Sequence, residues 1–283
     1  MHVRTPRVKH LKQDCATVLI TGASSGIGAG LAREFVRRGY RVALVARRLE
    51  QLELLAVELR GGGAEASAHR GDVTVDGDIA RVMQELGVSG IVPSIVIANA
   101  GFGVVGRAQN LTVADFRRQF DTNVFGVIRT LNESIDVLTR TRGRFVIMGS
   151  VAGYLSVPGG APYAMSKFAV RALAEALHGD LKELDVGCTL ISPGFVDSDI
   201  RRVDNQGGLH ANVKDPVPAW LRMNTQQATR IMVRGILAGR REVFVTWHAR
   251  ALAFLARHCP RLMRFVLVRG NRGSRPEPRA DAG

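Results

Sequence analysis

Cysteine is scarce in this 283-residue chain. Cys15, Cys188 and Cys259 are too few and too scattered for a disulfide framework or a zinc site, and a reducing compartment is the simpler reading. Long apolar runs are missing as well. No stretch of 18 apolar residues exists, so no helix is expected to span a bilayer, and no apolar run precedes Val18, which argues against a secretory signal. No internal repeat is found. Acids are outnumbered, with 25 Asp+Glu against 39 Lys+Arg and a net charge of +14. The imbalance sits at the ends. Residues 1–13 carry Arg4, Arg7, Lys9 and Lys12 with no acid, and residues 240–283 carry ten Arg against Glu242, Glu277 and Asp281. Basic ends make nucleic acid and anionic membrane surfaces candidate partners. No recognised nucleic-acid motif is present, and the ends interleave few aromatics beyond Trp247, Phe254 and Phe265, so nucleic acid is not expected.

The composition that remains is globular, 46% hydrophobic and 23% charged. From Cys15 onward, strand-like and helix-like segments alternate. Strands are expected at Thr17–Thr21, Arg41–Ala46, Ala66–His69, Ser94–Ala98, Arg144–Ser150, Val186–Ser192 and Val243–Trp247. Helices are expected at Ile27–Arg38, Leu49–Arg60, Asp76–Leu86, Asp115–Leu138 and Pro162–Leu184, with Gly61-Gly62-Gly63 stopping the second. Runs such as Ser94-Ile-Val-Ile-Ala98 and Phe145-Val-Ile-Met148 are apolar throughout, which marks strands buried on both faces. The expectation is an α/β fold: a single doubly wound, Rossmann-type parallel sheet of about seven strands, helices on both faces, and a C-terminal amphipathic helical extension.

Three motifs carry chemistry. The first turn reads Thr21-Gly22-Ala23-Ser24-Ser25-Gly26-Ile27-Gly28. Its glycines permit a tight turn and close approach to a pyrophosphate at a helix N-terminus. With 31 Gly in the chain the spacing alone is weak, and the place after the first strand gives it weight. The second strand ends Ala46-Arg47-Arg48, where an acid would bind ribose hydroxyls and favour NAD. Ala46 in its place, followed by guanidinium groups, suits a 2′-phosphate; in so Arg-rich a chain, a solvated pair is the competing reading. The third motif is Tyr163-Ala-Met-Ser-Lys167. Residues four apart share a helix face, and a nearby ammonium favours phenolate and brings the phenol towards working pH. With only three Tyr in the chain, chance is a poor explanation. Ser150 ends the preceding strand and can bond a substrate carbonyl; alone, it is more often a cap or turn residue.

Together these residues resemble the classical short-chain dehydrogenase/reductase family over roughly Thr17–Trp247. The match includes the T-G-x-x-x-G-x-G turn at Thr21–Gly28, Asp72-Val73, Asn99-Ala100-Gly101, Asn123, Ser150, Tyr163 and Lys167, and Pro193-Gly194-Phe195-Val196-Asp197-Ser198. The resemblance implies hydride transfer between NADP(H) and a carbonyl/alcohol pair. Tyr163 would be the proton donor, Lys167 would hold the nicotinamide ribose and depress the Tyr163 pKa, Ser150 would polarise the carbonyl, and Asn123 would hold a water through its helix backbone. Cofactor contacts would come from Gly22, Ser24, Ser25, Gly26, Ile27 and Gly28 in the turn, and from Arg47 and Arg48 after the second strand. Asp72 and Val73 would meet adenine, and Asn99, Ala100, Gly101, Tyr163 and Lys167 would complete the trough. Pro193, Gly194, Val196 and Ser198 would meet the carboxamide. No metal is implied. The family's long helices pair between subunits, so a homodimer or homotetramer is expected, with Phe116, Phe120, Phe125, Phe168, Leu173 and Leu177 as the apolar residues of those helices.

The chain divides into a basic arm (1–14), the sheet domain (15–248), a basic amphipathic segment (249–270) and a Gly/Pro/Arg-rich tail (271–283) expected to be disordered. Within the domain, 193–225 reads as a substrate loop. Its Trp220, Leu221 and Met223 either meet a hydrophobic, lipid-, acyl- or steroid-like substrate or pack the loop down. In Ala249–Arg269, Arg250, Arg257, Arg261 and Arg264 fall on one helical arc, and Leu252, Leu255, Cys259, Leu262, Met263 and Val266 lie opposite, with a break at Pro260. Such a segment either packs on the domain or lies on an anionic bilayer. The expected location is cytoplasmic, with peripheral contact on the inner membrane face. The rival reading is a non-catalytic dinucleotide-binding regulator or scaffold, which usually lacks the Tyr or Lys kept here.

Overall fold

The computed structural model describes residues 16–197, 217–261 and 263. Its strands are β1 (Thr17–Thr21), β2 (Arg41–Ala46), β3 (Ala66–Arg70), β4 (Pro93–Ala98), β5 (Arg144–Met148), β6 (Gly187–Ser192) and β7 (Glu242–Phe244). All pair in parallel, in the order β3-β2-β1-β4-β5-β6-β7. The order reverses between β1 and β4. That opens a crevice at the C-terminal ends of the strands, where such sheets bind ligands. The apolar runs behave as their composition predicts: every residue of β1, β4 and β5 is buried.

Helices cover both faces. α1 (Gly26–Val36), α2 (Leu49–Gly61) and α7 (Thr225–Leu237) pack on one side through Leu31, Phe35, Leu52, Met232 and Ile236. α3 (Asp78–Val88), α5 (Gly126–Thr141) and α6 (Ala161–Asp180) pack on the other through Ile79, Leu86, Leu138 and Val170. Phe35 is fully buried with its ring edge-on to Tyr40. Each such side chain contributes about 1.5–3 kcal/mol by leaving water.

Several element boundaries differ from the sequence pattern. The long helix expected over Asp115–Leu138 is two helices, α4 (Val113–Phe120) and α5, joined by a π-helical turn at Asp121–Phe125. A Thr112–Asp115 capping box starts α4 two residues early. α3 starts at Asp78, after Gly77 in the left-handed region, and α6 ends at Asp180 instead of Leu184. Gly61 is still helical, and the stop falls at Gly62. β5 ends at Met148, two residues before Ser150. α7 was absent from the sequence reading. Asn224 caps it through its Oδ1, which accepts from the Gln226 amide.

The largest difference is at the last strand. β7 stops at Phe244, and Trp247 opens α8 (Trp247–His258), capped by Thr246 Oγ1 accepting from the Ala249 amide. The break before Pro260 is present at Cys259. His248, Ala249, Ala253 and Met263 are buried, whereas Cys259 is exposed and so leaves the apolar side assigned to it. Trp247 and Phe254 are 78% and 60% exposed, beside the exposed Arg250 and Arg257. The outward face of α8 therefore mixes aromatics with arginines, and Leu252 and Leu255 are half-buried. No helix among the described residues is long and apolar enough to cross a membrane. The basic arm, the tail, Ser198, most of the substrate loop, Arg264 and Val266 lie outside the described residues, as does the side chain of Leu262.

Candidate active site

The glycine turn between β1 and α1 is held by its neighbours across the crevice. Thr21 Oγ1 accepts from the Asn99 and Ala100 amides at 3.1 and 3.2 Å. Asn99 Nδ2 donates to the carbonyls of Thr21 and Gly22 at 2.9 and 3.2 Å. Asn99, expected at the cofactor, thus spends its amide on shaping the turn. Gly22 and Gly26 have φ of +66° and +53°, which glycine alone adopts freely. A Cβ on Gly28 would overlap the Gly22 carbonyl, and one on Gly22 would lie 2.7 Å from Ala100 Cα. Ser25, the cap of α1, makes no side-chain bond to the first helical turn. The cradle therefore presents α1's amides to an anion, as a dinucleotide pyrophosphate requires.

At the β2 end, an open cavity of about 610 Å³ is lined by Arg47, Arg70, Gly71, Asp72, Val75, Asp78 and Arg81. Arg48 Nη2 donates to Ser24 Oγ and Ser25 Oγ at 3.0 and 3.3 Å, reaching over the glycine turn. Asp72 is anchored: its amide donates to Asp78 Oδ2, and its Oδ1 accepts from Thr74. Val73 is buried. Arg70 was missed in sequence. It lies beside Ala46 in the β2–β3 register, a signal visible only once the strands are paired.

Tyr163 and Lys167 lie one turn apart on α6. Lys167 Nζ sits 5.6 Å from the Tyr163 ring centroid and donates to the Met148 carbonyl at 2.8 Å. Burial lowers the Lys167 pKa to about 8, so the ammonium is held at neutral pH at a desolvation cost. Ser150 follows β5, and its Oγ caps a short 3₁₀ turn (Val151–Gly153) by accepting from the Ala152 amide at 3.1 Å. Gly153 lets α6 rest on this turn, because a Cβ there would meet the Lys167 carbonyl at 2.8 Å. Asn123 lies in the π-helical turn, a feature common at functional sites. Its Oδ1 accepts from the Phe102 amide and its Nδ2 donates to Phe102 O and to Ser166 Oγ. Ser166 Oγ in turn donates to Tyr163 O at 2.7 Å. Asn123 is thereby linked through Ser166 to the Tyr163 turn, and Lys167 links that turn to the Met148 carbonyl, two residues before Ser150. Gly101 and Gly103 lie against Asn123 and Tyr163, and a Cβ on Gly103 would lie 3.5 Å from the Tyr163 ring.

The far wall is the Pro193–Asp197 segment. Pro193 O accepts from the Val151 amide at 2.8 Å, joining this segment to the Ser150 turn. Val196 bridges to Met223, with Phe195 and Asp197 hydrogen-bonded to Met223 at 2.9 Å. His248 of α8 was missed in sequence. Its Nε2 accepts from the Phe195 amide at 3.2 Å, and its ring stacks on Phe195. A Cβ on Gly194 would overlap the Thr246 and His248 side chains, which would have to shift to admit it. Tyr154, Ser192 and Glu242 were missed too; they meet behind the Ser150 turn. Trp220 is 82% exposed, so it does not pack the substrate loop down, and Leu221 is half-buried. Among the described residues no cluster could hold a metal ion.

Residues 16–207 match the family model described as short chain dehydrogenase. The chain is 35% identical over 246 residues to an uncharacterized oxidoreductase of Myxococcus xanthus, covering 86% of this chain and 92% of that protein. It is 32% identical over 249 residues to the 11-beta-hydroxysteroid dehydrogenase-like 4A of Arabidopsis thaliana, covering 87% and 81%. Among solved structures, a short-chain dehydrogenase from Sphingobium yanoikuyae in complex with NADPH superposes with a TM-score of 0.72 at 26% identity, covering 93% of this chain and 99% of that one.

Proposed function

The chain belongs to the short-chain dehydrogenase family of oxidoreductases, and from that premise we propose that it is an NADP(H)-dependent reductase of carbonyl groups on hydrophobic, lipid-, acyl- or steroid-like substrates. The observation that carries this reading is the pairing of Tyr163 with Lys167, whose ammonium bonds the Met148 carbonyl two residues before Ser150, in a sheet whose first turn is a glycine cradle that admits no Cβ. Bound nicotinamide would supply the hydride. The chain's own residues do the rest. Ser150 Oγ donates to the carbonyl oxygen and polarises it. Tyr163 Oη passes its proton to the oxygen as negative charge develops there. Lys167, cationic below a pKa of about 8, stabilises the phenolate left behind. Asn123 fixes the Tyr163 turn through Ser166.

The choice of NADP rests on Ala46, which leaves no carboxylate at the end of β2, and on Arg47 and Arg70 lining the cavity beside it. The apolar substrate class is supported by the exposed Trp220 at the substrate loop and by the kinship with a plant protein named for a steroid dehydrogenase. Exposed Phe125, Met165 and Phe168 on the π turn and α6 support pairing of two copies through these helices. The test is NADPH oxidation against ketones and aldehydes extending to steroid and acyl carbonyls. Wild type should turn over, and Tyr163→Phe should bind NADPH while losing about 10²–10⁴ in rate. Near wild-type turnover in Tyr163→Phe overturns the assignment.

A cytoplasmic protein in peripheral contact with the inner membrane face is supported by the outward surface of α8. There Trp247 and Phe254 stand beside Arg250 and Arg257, with Arg261 beyond the break. The lipid-facing side is thus the aromatic–arginine face, and the half-buried Leu252 and Leu255 belong to the other side. Each basic residue near an anionic surface contributes about 1 kcal/mol. Phosphatidylglycerol vesicles should co-sediment the protein at low salt, and Trp247→Ser with Phe254→Ser should release it. Unchanged sedimentation of that variant counts against the face.

A further inference from the structure

Behind the Ser150 turn, outside the residues that touch substrate or cofactor in the reading above, one carboxylate takes two hydroxyl donors. Glu242 Oε1, at the start of β7, accepts from Tyr154 Oη and from Ser192 Oγ, the latter at 2.6 Å. Tyr154 ends the 3₁₀ turn that Ser150 caps. Ser192 is fully buried and precedes Pro193 and Gly194. The carboxylate therefore grips two neighbouring segments of the crevice mouth, the ones already joined by the Val151 amide donating to the Pro193 carbonyl.

The surroundings reinforce the grip. The Arg171 guanidinium lies 4.1 Å from the Tyr154 ring centroid, a cation–π contact. Arg171 also donates to the Gly153 carbonyl and pairs with Glu175 on α6. Arg171 is one helical turn beyond Lys167, so the clamp reaches the helix that carries Tyr163 and Lys167. Phe244 of β7 also packs against the Tyr154 ring, tilted by 48° at 5.6 Å between centroids. Burial and the adjacent carboxylate push the Tyr154 phenol well above its ordinary range, so it stays a donor at every working pH.

We propose that Glu242 is a positioning residue for the reaction: through Tyr154 and Ser192 it sets the spacing between the Ser150 hydroxyl and the Pro193–Gly194 wall. The proposal rests on Ser150 and the Pro193 segment facing the reacting atoms, as read above. Bonds to a carboxylate are about twice as strong as neutral ones, and a misplacement of about 1 Å in a reacting pair costs about 100-fold in rate. Because both donors meet the same oxygen, an amide oxygen can replace it.

The experiment compares Glu242→Ala, Glu242→Gln and Tyr154→Phe by kcat, KM, NADPH affinity and amide hydrogen exchange. Glu242→Ala should lower kcat by about 10–100-fold with NADPH affinity within threefold of wild type. Glu242→Gln should restore kcat to within about threefold. Tyr154→Phe should lower kcat by about tenfold and add little in the Glu242→Ala background, as coupled partners do. Exchange should rise in peptides spanning 148–155 and 191–195 and stay unchanged in β1 and α1. Uniformly faster exchange over the whole chain, or a fall in kcat that Glu242→Gln does not restore, overturns the proposal. Should Glu242→Ala fail to fold, Tyr154→Phe carries the same kinetic and exchange test, and unchanged kcat and exchange there overturn it. A wild type that oxidises NADPH with no carbonyl defeats the functional reading, whereas the local exchange pattern still reports on the clamp.

Discussion

Around β1 and β4 the mouth of the sheet is built from backbone. Glycines pack against carbonyls, and one Thr and one Asn close the turn by bonding main-chain groups. Around β6 and β7 it is built from side chains: Glu242 on Tyr154 and Ser192, and His248 on the Phe195 amide. At Gly22 and Gly28 the first wall has no room to yield, because an added Cβ meets backbone. The second has rotatable side chains that can relax in part. Changes in the glycine wall should therefore be all-or-none, and changes in the side-chain wall graded.

Gly28→Ala should break the comparison hardest. Its methyl would overlap the Gly22 carbonyl and the Asn99 amide, so NADPH affinity should fall by more than about 100-fold, a loss beyond about 2.7 kcal/mol. Fluorescence titration measures this, with circular dichroism confirming the fold; binding within tenfold of wild type would show that the backbone wall yields.

Lys167→Met probes the boundary between the walls, and the effect should have opposite signs on activity and stability. The Lys167 pKa is about 8 in the folded chain against 10.5 ordinarily. Between those values the unfolded chain holds a proton that the folded one has released, so stability rises with pH through that window. Below pH 8 the cost of burying the charge is fully present, on the order of 3 kcal/mol. Lys167→Met should therefore be more stable by about 2–3 kcal/mol at pH 7, with the gain fading towards pH 10.5, while turnover is lost. Denaturant melts at pH 7 and 10 check it; a destabilised variant at pH 7 overturns the sign.

The smallest expected effect is at the cofactor's outer end. Replacing Ala46 by Asp and Arg47 by Ala should reverse a preference for NADPH of roughly tenfold or more, the worth of one charge-assisted contact of about 1.5–3 kcal/mol. Equal wild-type affinity for NADPH and NADH would remove the basis for it.

The same contrast explains what was legible in the sequence. The motifs of the backbone wall are each local in sequence, although the bonds between Asn99 and Thr21 that close it join distant residues. Thr21 to Gly28 is one short turn, Tyr163 and Lys167 are one helical turn apart, and the strands that frame them are continuous apolar runs. Periodicity and spacing find such features. The side-chain wall joins residues far apart in the chain: Tyr154 to Glu242, Phe195 to His248, Ala46 to Arg70. No local pattern announces them. α7 begins where the 193–225 loop ends, and its apolar stripe (Ala228, Met232, Ile236) spans little more than two turns with no proline or acidic residue to mark its start. Trp247 was taken for strand because its β-favouring neighbours Val243–Val245 carry the pattern past Thr246, whose capping hydroxyl decides otherwise. The π-helical turn at Asn123 leaves no periodic trace in five residues, although Asn123 itself was identified by resemblance.

The Val196–Met223 bridge has a consequence for how this scaffold can change over generations. Val196 and Met223 are fastened to each other, and the Val151 amide fastens Pro193 to the end of β5, so the chain between the two residues is closed at its stems whatever its length. Doubling such a loop costs only about 0.6 kcal/mol of closure entropy. Insertions or deletions beyond Ser198 and before Met223 can therefore be sampled at little cost in closure entropy while the fastened stems stay in place. The fold thus separates a fastened frame from a span whose length is free to vary, and grafting segments of other lengths between these two residues measures how far that freedom extends.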